Sequence, residues 1–274
     1  MTVELGATLF TAALVFYMAA AVCYVAYMVK ENKSVGRAAV YILIAGWLIH
    51  TASIAVRAIV TKTPPLLNMY EYVLALIWCA AVIYLILEWV TKTKVFGAFV
   101  VPLIAVSSVL LIEFLSAEAR PVMPALRSAW RVPHIVSGSL AYAGFGIAFC
   151  LAIMYLIGER AGRNEQSFWA KRLPALRTLD YTIYRTVAFG FLLQTSLILT
   201  GALWAQKSWA RYWGWDSKET WSLITWLVYA AYLHTRSIGW KGRRSAILAI
   251  IGFAVAMFTL FGVSYLLAGL HSYA

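Results

Sequence analysis

Apolar runs of about 20 residues divide the chain, and they constrain its fold more than any other feature. A helix of that length rises about 30 Å, which matches the hydrocarbon core of a bilayer. The composition agrees, because 63% of the residues are apolar and only 12% are charged. We therefore predict an all-α polytopic membrane protein with about eight transmembrane helices. The runs are approximately 7–29, 38–60, 69–90, 96–115, 134–157, 183–203, 220–238 and 246–270.

The basic residues predict how the chain is oriented. Most of the 23 lysines and arginines lie in connections that follow odd-numbered runs, and the positive-inside rule assigns that side to the cytoplasm. An even number of spans then places both termini on the periplasmic or lumenal side. We treat 1–274 as a single transmembrane domain of the bacterial cytoplasmic membrane, with the thylakoid membrane as the less favoured location. The charge of +12 is scattered in short groups, which indicates orientation in a lipid bilayer and no nucleic-acid partner.

Tryptophan is concentrated in one external loop, at 204–221, which holds five of the 12 tryptophans. An interfacial aromatic belt is the simpler interpretation, but a belt is spread over all helix ends. Interleaved charges favour a flat aromatic platform with a polar rim, suited to a large planar ligand with acidic groups. Asp216 and Glu219 are expected mainly to shape the loop. The tryptophans are Trp204, Trp209, Trp213, Trp215 and Trp221, and the basic residues are Lys207, Arg211 and Lys218.

Four histidines occur, and two of them lie at the outer ends of spans. His134 begins the fifth run and His271 ends the eighth, so both are expected near the tryptophan-rich loop. A single interfacial histidine is commonly incidental. Zinc would need three or four protein ligands, whereas haem iron needs only two axial ones. We therefore expect a porphyrin on the platform with axial ligands from these two histidines, and its propionates near Lys207, Arg211, Lys218 or Arg131.

The other two histidines, His50 and His234, lie inside spans. Polar side chains at that depth are costly and usually face the bundle interior. His50, Ser53 and Arg57 fall on one helical face, which predicts that this face points inward. Two alanines before His234 leave room beside its ring, although small residues also serve close helix packing. Arg57 and these histidines could lower the cost of moving an acidic ligand through hydrocarbon.

Two motifs resemble a known family. The string WGWDSKETW at 213–221, preceded by GALW at 201–204, resembles the WWD signature of haem-handling proteins of cytochrome c biogenesis. The segments HTASIAVR at 50–57 and PPLLNMYE at 64–71 are similar to the early part of the CcsA (ResC) branch, which serves the system II pathway. The number of spans and the order of the histidines around the loop also match this branch.

The resemblance implies ligands, an activity and partners. His134 and His271 match the family's external pair of haem ligands, and His50 and His234 match its transmembrane pair. The implied activity is export of haem b (Fe-protoporphyrin IX) and its presentation for thioether attachment at the CxxCH of an apocytochrome c, as part of a holocytochrome c synthase. The implied partners are a CcsB (ResB)-type membrane protein, apocytochrome c and a thiol-reducing thioredoxin-like protein.

Two rival functions remain open at this point. A cytochrome b electron-transfer subunit also binds haem between histidines, but it tends to place two ligands on one helix, whereas here each histidine is on a different span. A non-haem transporter with merely interfacial tryptophans would purify colourless. The expected depths of His50 and His234 also differ by roughly 9 Å, at about 1.5 Å per residue. A shared site for these two rings therefore depends on helix tilt.

Overall fold

The structure, a computed structural model, describes residues 2–118, 128–162, 164 and 166–267. These residues form helices joined by short links, and they contain no strand. A 3-10 turn at Lys94–Phe96 leads into the fourth α-helix, and a π-helical segment at Phe258–Gly262 leads into the last. The α-helices are α1 (Val3–Lys30), α2 (Lys33–Thr61), α3 (Met69–Thr91), α4 (Gly97–Phe114), α5 (Arg131–Ala161), α6 (Phe168–Arg172), α7 (Leu176–Trp209), α8 (Ser217–Ser237), α9 (Arg243–Met257) and α10 (Val263–Leu266).

Seven helical stretches within the described residues are long and apolar enough to cross a membrane. They confirm that the chain is an all-α, multi-pass membrane protein. The predicted run at 220–238 forms α8, which is long enough to span a membrane but is not one of the seven. Polar residues such as Ser222 and Arg236 make α8 less apolar than the other long helices. The side on which the termini lie stays a prediction.

Two stretches predicted as connections are helical. The short helix α6 lies between the predicted runs 134–157 and 183–203, and α7 begins before the predicted start at 183. At its other end, α7 continues to Trp209 and stops where Ala210 adopts a left-handed φ of 57°. Ala205, Gln206 and Lys207 are good helix formers, so the helix extends beyond the apolar run that predicted it.

The helices group into two compact units. One contains α1–α4 and α6, and the other contains α5 and α7–α10. A single domain over 1–274 stays a prediction. In the first unit, α1 and α2 form an antiparallel hairpin across a two-residue link. Asn32 caps α2 by accepting hydrogen bonds from the N–H groups of Ser34 (2.9 Å) and Val35 (3.3 Å).

The second unit is built around α5. Phe145 of α5 stacks on Tyr229 of α8, with ring centroids 3.6 Å apart and planes 9° apart. Gly190 of α7 lies against the Phe145 ring. The two helices α5 and α7 run antiparallel, so the first turn of α5 lies beside the C-terminal part of α7. This arrangement positions His134.

Candidate functional site

His134 lies in the first turn of α5, and α7 holds its ring. Its Nδ1 atom lies 2.9 Å from the carbonyl oxygen of Leu197. A carbonyl oxygen only accepts, so Nδ1 carries a proton and the neutral ring has its lone pair on Nε2. Metal-ligating histidines share this arrangement, in which a hydrogen bond at one ring nitrogen fixes the tautomer and the orientation of the other. The ring of His134 is therefore suited to present Nε2 to a metal.

Two further residues of α7 shape the surroundings of His134. Gly201 lies so close that a Cβ there would come within 2.9 Å of Cε1 and Nδ1 of the ring. The buried Trp204 ring meets it edge-on, with centroids 5.3 Å apart. Leu197, Gly201 and Trp204 follow at i, i+4 and i+7, so one face of α7 makes all three contacts. The sequence reasoning missed Leu197, because a backbone carbonyl leaves no mark in a sequence.

The tryptophan-rich segment at 204–221 is mostly helical. Residues 204–209 complete α7, and α8 begins at Ser217, so the link between the helices spans only 210–216. The loop is therefore shorter than the sequence predicted. Trp204, Trp209 and Lys207 belong to the last turns of α7, and Lys218 and Trp221 belong to the start of α8.

Asp216 and Glu219 fold this link onto the start of α8. Oε2 of Glu219 accepts hydrogen bonds from the backbone N–H of Gly214 (2.8 Å) and of Asp216 (3.2 Å). Asp216 accepts from the N–H of Lys218 at 3.2 Å, and its side chain also forms a reciprocal capping box with Glu219. Both carboxylates lie at the positive end of the helix dipole. The expectation that they shape the loop is confirmed.

Trp213 and Trp215 do not share a plane. Their ring centroids lie 5.7 Å apart, and the planes meet at 87°. Trp215 is 70% exposed and has a left-handed φ of 56°. The Trp213 Nε1 atom is buried and has no hydrogen-bond partner among the described residues. The prediction of a flat platform is therefore wrong for this pair, which forms a corner where a planar ligand can stack on only one ring.

The cations expected near the ligand differ in exposure. Lys207 and Arg211 are exposed. The guanidinium of Arg211 lies against Gly214, where a Cβ would come within 2.5 Å of Cζ. Arg131, in contrast, is buried in the first turn of α5. Lys207 and Arg211 are therefore the side chains of this group that an anionic ligand can reach from the surface.

Lys218 ties α8 to the C-terminal part of the second unit. Its Nζ atom donates hydrogen bonds to Oγ of Ser264 (2.5 Å) and to the carbonyl oxygen of Leu260 (3.4 Å). Burial lowers the pKa of Lys218 from 10.5 to about 8, although Asp216 opposes the change. These contacts give Lys218 a structural role in the described chain, in addition to the ligand contact that the sequence predicted.

Trp221 joins the same two elements as Lys218. Its ring packs on Phe258, the first residue of the π-helical segment, with centroids 4.4 Å apart. Thr225, one turn further along α8, pairs its hydroxyl with that of Thr259 at 2.8 Å. The start of α8 is therefore held both by its cap and by the π-helical segment.

His50 of α2 is fully buried, and its ring faces α1 within the first unit. Its Nδ1 atom lies 3.0 Å from the hydroxyl of Tyr17, and the Phe10 ring packs edge-on with centroids 4.8 Å apart. Nε2 is buried without a hydrogen-bond partner among the described residues. Burying such an unpaired group costs about 1–3 kcal/mol. The inward orientation predicted for His50 is confirmed, and a ring with one nitrogen held and the other unpaired fits an axial ligand.

Arg57, on the same face of α2, is already paired. Its Nε donates to Oε1 of Glu71 at 2.6 Å, and a terminal nitrogen donates to the carbonyl oxygen of Ala117 at 2.7 Å. The side chains of Arg57 and Glu71 are 2% and 1% exposed, and the Tyr70 ring lies 5.1 Å from the guanidinium carbon. Glu71 therefore already neutralises the charge of Arg57 in the described structure, and a role of Arg57 towards an acidic ligand in transit stays a prediction.

Of the remaining two histidines, His234 and His271, the structure describes only His234. His234 is exposed on α8, so the inward orientation expected for it is wrong. His271 lies outside the described residues, and its role as the second external ligand stays a prediction. Sequence reasoning therefore located two well-defined imidazoles, His134 and His50, one in each compact unit.

The fold and these two imidazoles define a class of protein. It is a multi-pass helical membrane protein with a capped tryptophan-rich link and with His134 and His50 on different helices. Residues 66–271 match the family described as Cytochrome C assembly protein. The chain belongs to this family, which confirms the resemblance drawn from the motifs.

Named relatives agree with this assignment. Cytochrome c biogenesis protein CcsA of Guillardia theta is 39% identical over 229 residues, which cover 76% of each chain. The protein of the same name from Synechococcus sp. (strain CC9605) is 34% identical over 274 residues and 90% of each chain. Among solved structures, cytochrome c heme lyase CcmF has a similar fold, with a TM-score of 0.69 at 16% identity over 95% of this chain. The chain spans only 47% of the length of CcmF.

Proposed function

We propose that this protein exports haem b and presents it to an apocytochrome c for covalent attachment at CxxCH, as a component of the system II cytochrome c synthase. The observation that carries the proposal is the geometry at His134, where the carbonyl of Leu197 holds Nδ1–H and so puts the lone pair of the neutral ring on Nε2. Membership of the cytochrome c assembly family supports it, because cytochromes c carry covalently attached haem.

An outer station would be built around His134 and the tryptophan-rich link. Haem offers a planar apolar ring, two axial positions on iron and two carboxylates. His134 supplies one axial imidazole, and the family resemblance assigns His271 as the other. The exposed ring of Trp215 offers a face for stacking, and the exposed guanidinium of Arg211 offers a partner for a carboxylate.

An inner station would use His50 of the first unit. Its buried Nε2 is unpaired among the described residues, and an axial bond to iron would remove that cost. We propose on the family resemblance that His234 serves the same stage of transport. Its exposure leaves the ring accessible to a ligand.

The residues of the chain position the cargo and need no acid or base dyad. Thioether formation adds each cysteine thiol across a vinyl group, so that a carbon–sulfur bond forms and the thiol proton goes to the neighbouring vinyl carbon. Such a reaction gains most from fixed geometry. The histidine of the incoming CxxCH then replaces one axial imidazole, which releases the product.

The chemistry also indicates partners. The cysteines of CxxCH must be free thiols to react, so a thiol-reducing thioredoxin-like protein is needed upstream. We propose a CcsB (ResB)-type membrane protein as the second component of the synthase, and the bacterial cytoplasmic membrane as the location.

The test is the absorption spectrum of the chain purified with a CcsB-type partner, together with its yield of holocytochrome c. We expect wild type to carry haem b. His134→Ala is expected to lose the outer haem, and its yield of holocytochrome c should fall at least about tenfold. Added imidazole should restore the lost absorption spectrum. Wild type that purifies without haem, or His134→Ala with an unchanged spectrum and unchanged yield, would overturn the proposal. A cytochrome b subunit would bind haem without transferring it.

A further inference from the structure

We propose that Tyr17 is the residue that positions His50 for haem iron, an inference that rests on the proposed function. Tyr17 is fully buried on α1, and its hydroxyl lies 3.0 Å from Nδ1 of His50 on α2. This is a contact across the α1–α2 hairpin between residues 33 positions apart. No sequence motif singled out Tyr17, which is one of 16 tyrosines.

The hydroxyl decides which ring nitrogen of His50 is available. A phenol oxygen can accept a hydrogen bond, so Nδ1–H can donate to Tyr17 and the lone pair then lies on Nε2. Nε2 is the atom that lacks a hydrogen-bond partner among the described residues. Without the hydroxyl, no other hydrogen-bond acceptor among the described residues would keep the proton on Nδ1. The tautomer that is protonated at Nε2 cannot bind iron through that nitrogen.

The ring of Tyr17 is fixed by its neighbours. Gly46, one turn before His50 on α2, lies against it, and a Cβ at Gly46 would come 3.1 Å from Cδ1 of Tyr17 and 2.9 Å from Cβ of Phe16. The rings of Tyr17 and Phe10 both meet the His50 ring edge-on, with centroids 6.0 Å and 4.8 Å away. Gly46 therefore gives the hydroxyl a defined position, as a positioning residue requires.

Tyr17→Phe tests this role in the full chain co-purified with its CcsB-type partner. It removes one oxygen and keeps the ring. A His134→Ala background empties the outer station, so the remaining haem reports on His50. We expect haem to transfer from the Tyr17→Phe variant to excess apomyoglobin at least about tenfold faster than from the His134→Ala background. The haem absorption band should be weaker in the variant, and added imidazole should restore it. Gly46→Ala keeps the hydroxyl but displaces the ring, and it should have the same effect.

Tyr24→Phe is the matched control. Tyr24 lies two turns further along α1, and its hydroxyl donates to Oε2 of Glu88 at 2.6 Å. This variant should release haem at the rate of the background. Size-exclusion chromatography gives the folded fraction of each variant, and only folded protein is assayed.

Two negative results have different meanings. If Tyr17→Phe releases haem at the background rate while His50→Ala loses its haem, Tyr17 does not position the ring and this inference is wrong. If His50→Ala keeps its haem, His50 is not a ligand, and the inner station of the proposed function fails together with the inference.

Discussion

The Nδ1 atom of His134 lies 2.9 Å from the carbonyl oxygen of Leu197, 63 positions further along the chain. This contact joins the first turn of α5 to α7 and fixes the tautomer of the ring. Gly201, one turn after Leu197, permits the approach, because a Cβ there would meet two ring atoms at 2.9 Å. The ligand geometry at His134 is therefore as much a property of α7 as of α5.

Gly201→Ala should lower the amount of outer-station haem in the purified chain about tenfold, because the added methyl group displaces the His134 ring. Alanine itself favours a helix interior by about 0.5–1 kcal/mol over glycine, so the backbone gives no reason for unfolding. The reduced-minus-oxidised absorbance per mole of chain measures haem content.

Gly144→Ala on α5 is the control for this experiment. Its added Cβ would first meet Cδ1 of Phe189 at 3.4 Å, an ordinary contact distance. We expect its haem content to equal that of wild type. Full haem content in Gly201→Ala as well would contradict the assignment of His134 as a ligand.

Hydropathy was enough to predict the fold class, but it located the middles of helices better than their ends. The turns of α7 beyond 203 contain Lys207 and Gln206, which are good helix formers but not apolar. The helix α6 has five residues and no apolar run that could have revealed it. In α8, polar side chains such as Ser222 and Thr225 occur among the apolar ones. The run at 220–238, which was predicted to span the membrane, is therefore less apolar than the other predicted runs.

The candidate site was predictable where a rare residue type carries the chemistry. His134 and His50 stood out because histidine is scarce and costly in a membrane. Leu197 contributes only a carbonyl group, and Tyr17 is one of many tyrosines, so both became visible only once the helices were paired. Arg57 shows the opposite case, since spacing predicted its burial but not that Glu71 is its partner.

Glu219→Ala should loosen the link at 210–216. The change removes the acceptor for the N–H groups of Gly214 and Asp216, and the loss of a helix cap costs about 1 kcal/mol. Hydrogen exchange at these two amides should accelerate roughly fivefold. Glu113→Ala, at an exposed position near the end of α4, is the control and should leave their exchange unchanged. Equal exchange in both variants would show that Glu219 does not hold the link.

Arg57→Ala should destabilise the first unit by about 3–5 kcal/mol, because it leaves the carboxylate of Glu71 buried and unpaired. The double variant Arg57→Met with Glu71→Leu removes both charges and should recover much of the loss. Thermal unfolding in detergent measures stability, and haem content per folded chain should match wild type in both. A stable Arg57→Ala protein that lacks haem would instead assign Arg57 to ligand binding.

Lys218 should make the stability of the second unit depend on pH. Burial holds the pKa of Lys218 at about 8 in the folded chain, against 10.5 for the ordinary side chain. Between these two values the unfolded chain binds a proton that the folded chain has released, so the free energy of unfolding rises with pH. Below about pH 8 both states are protonated, and this gain is absent.

Comparison with Lys218→Met isolates the effect of Lys218, because methionine does not titrate. From about pH 7 to about pH 10, wild type should gain about 2–3 kcal/mol relative to Lys218→Met. The thermal midpoint of each protein, measured across this range in detergent, gives the difference. Lys207→Met removes an exposed lysine from the end of α7 and should follow wild type throughout. A constant gap between wild type and Lys218→Met would mean that the amine of Lys218 is solvated in the folded chain rather than buried against Ser264.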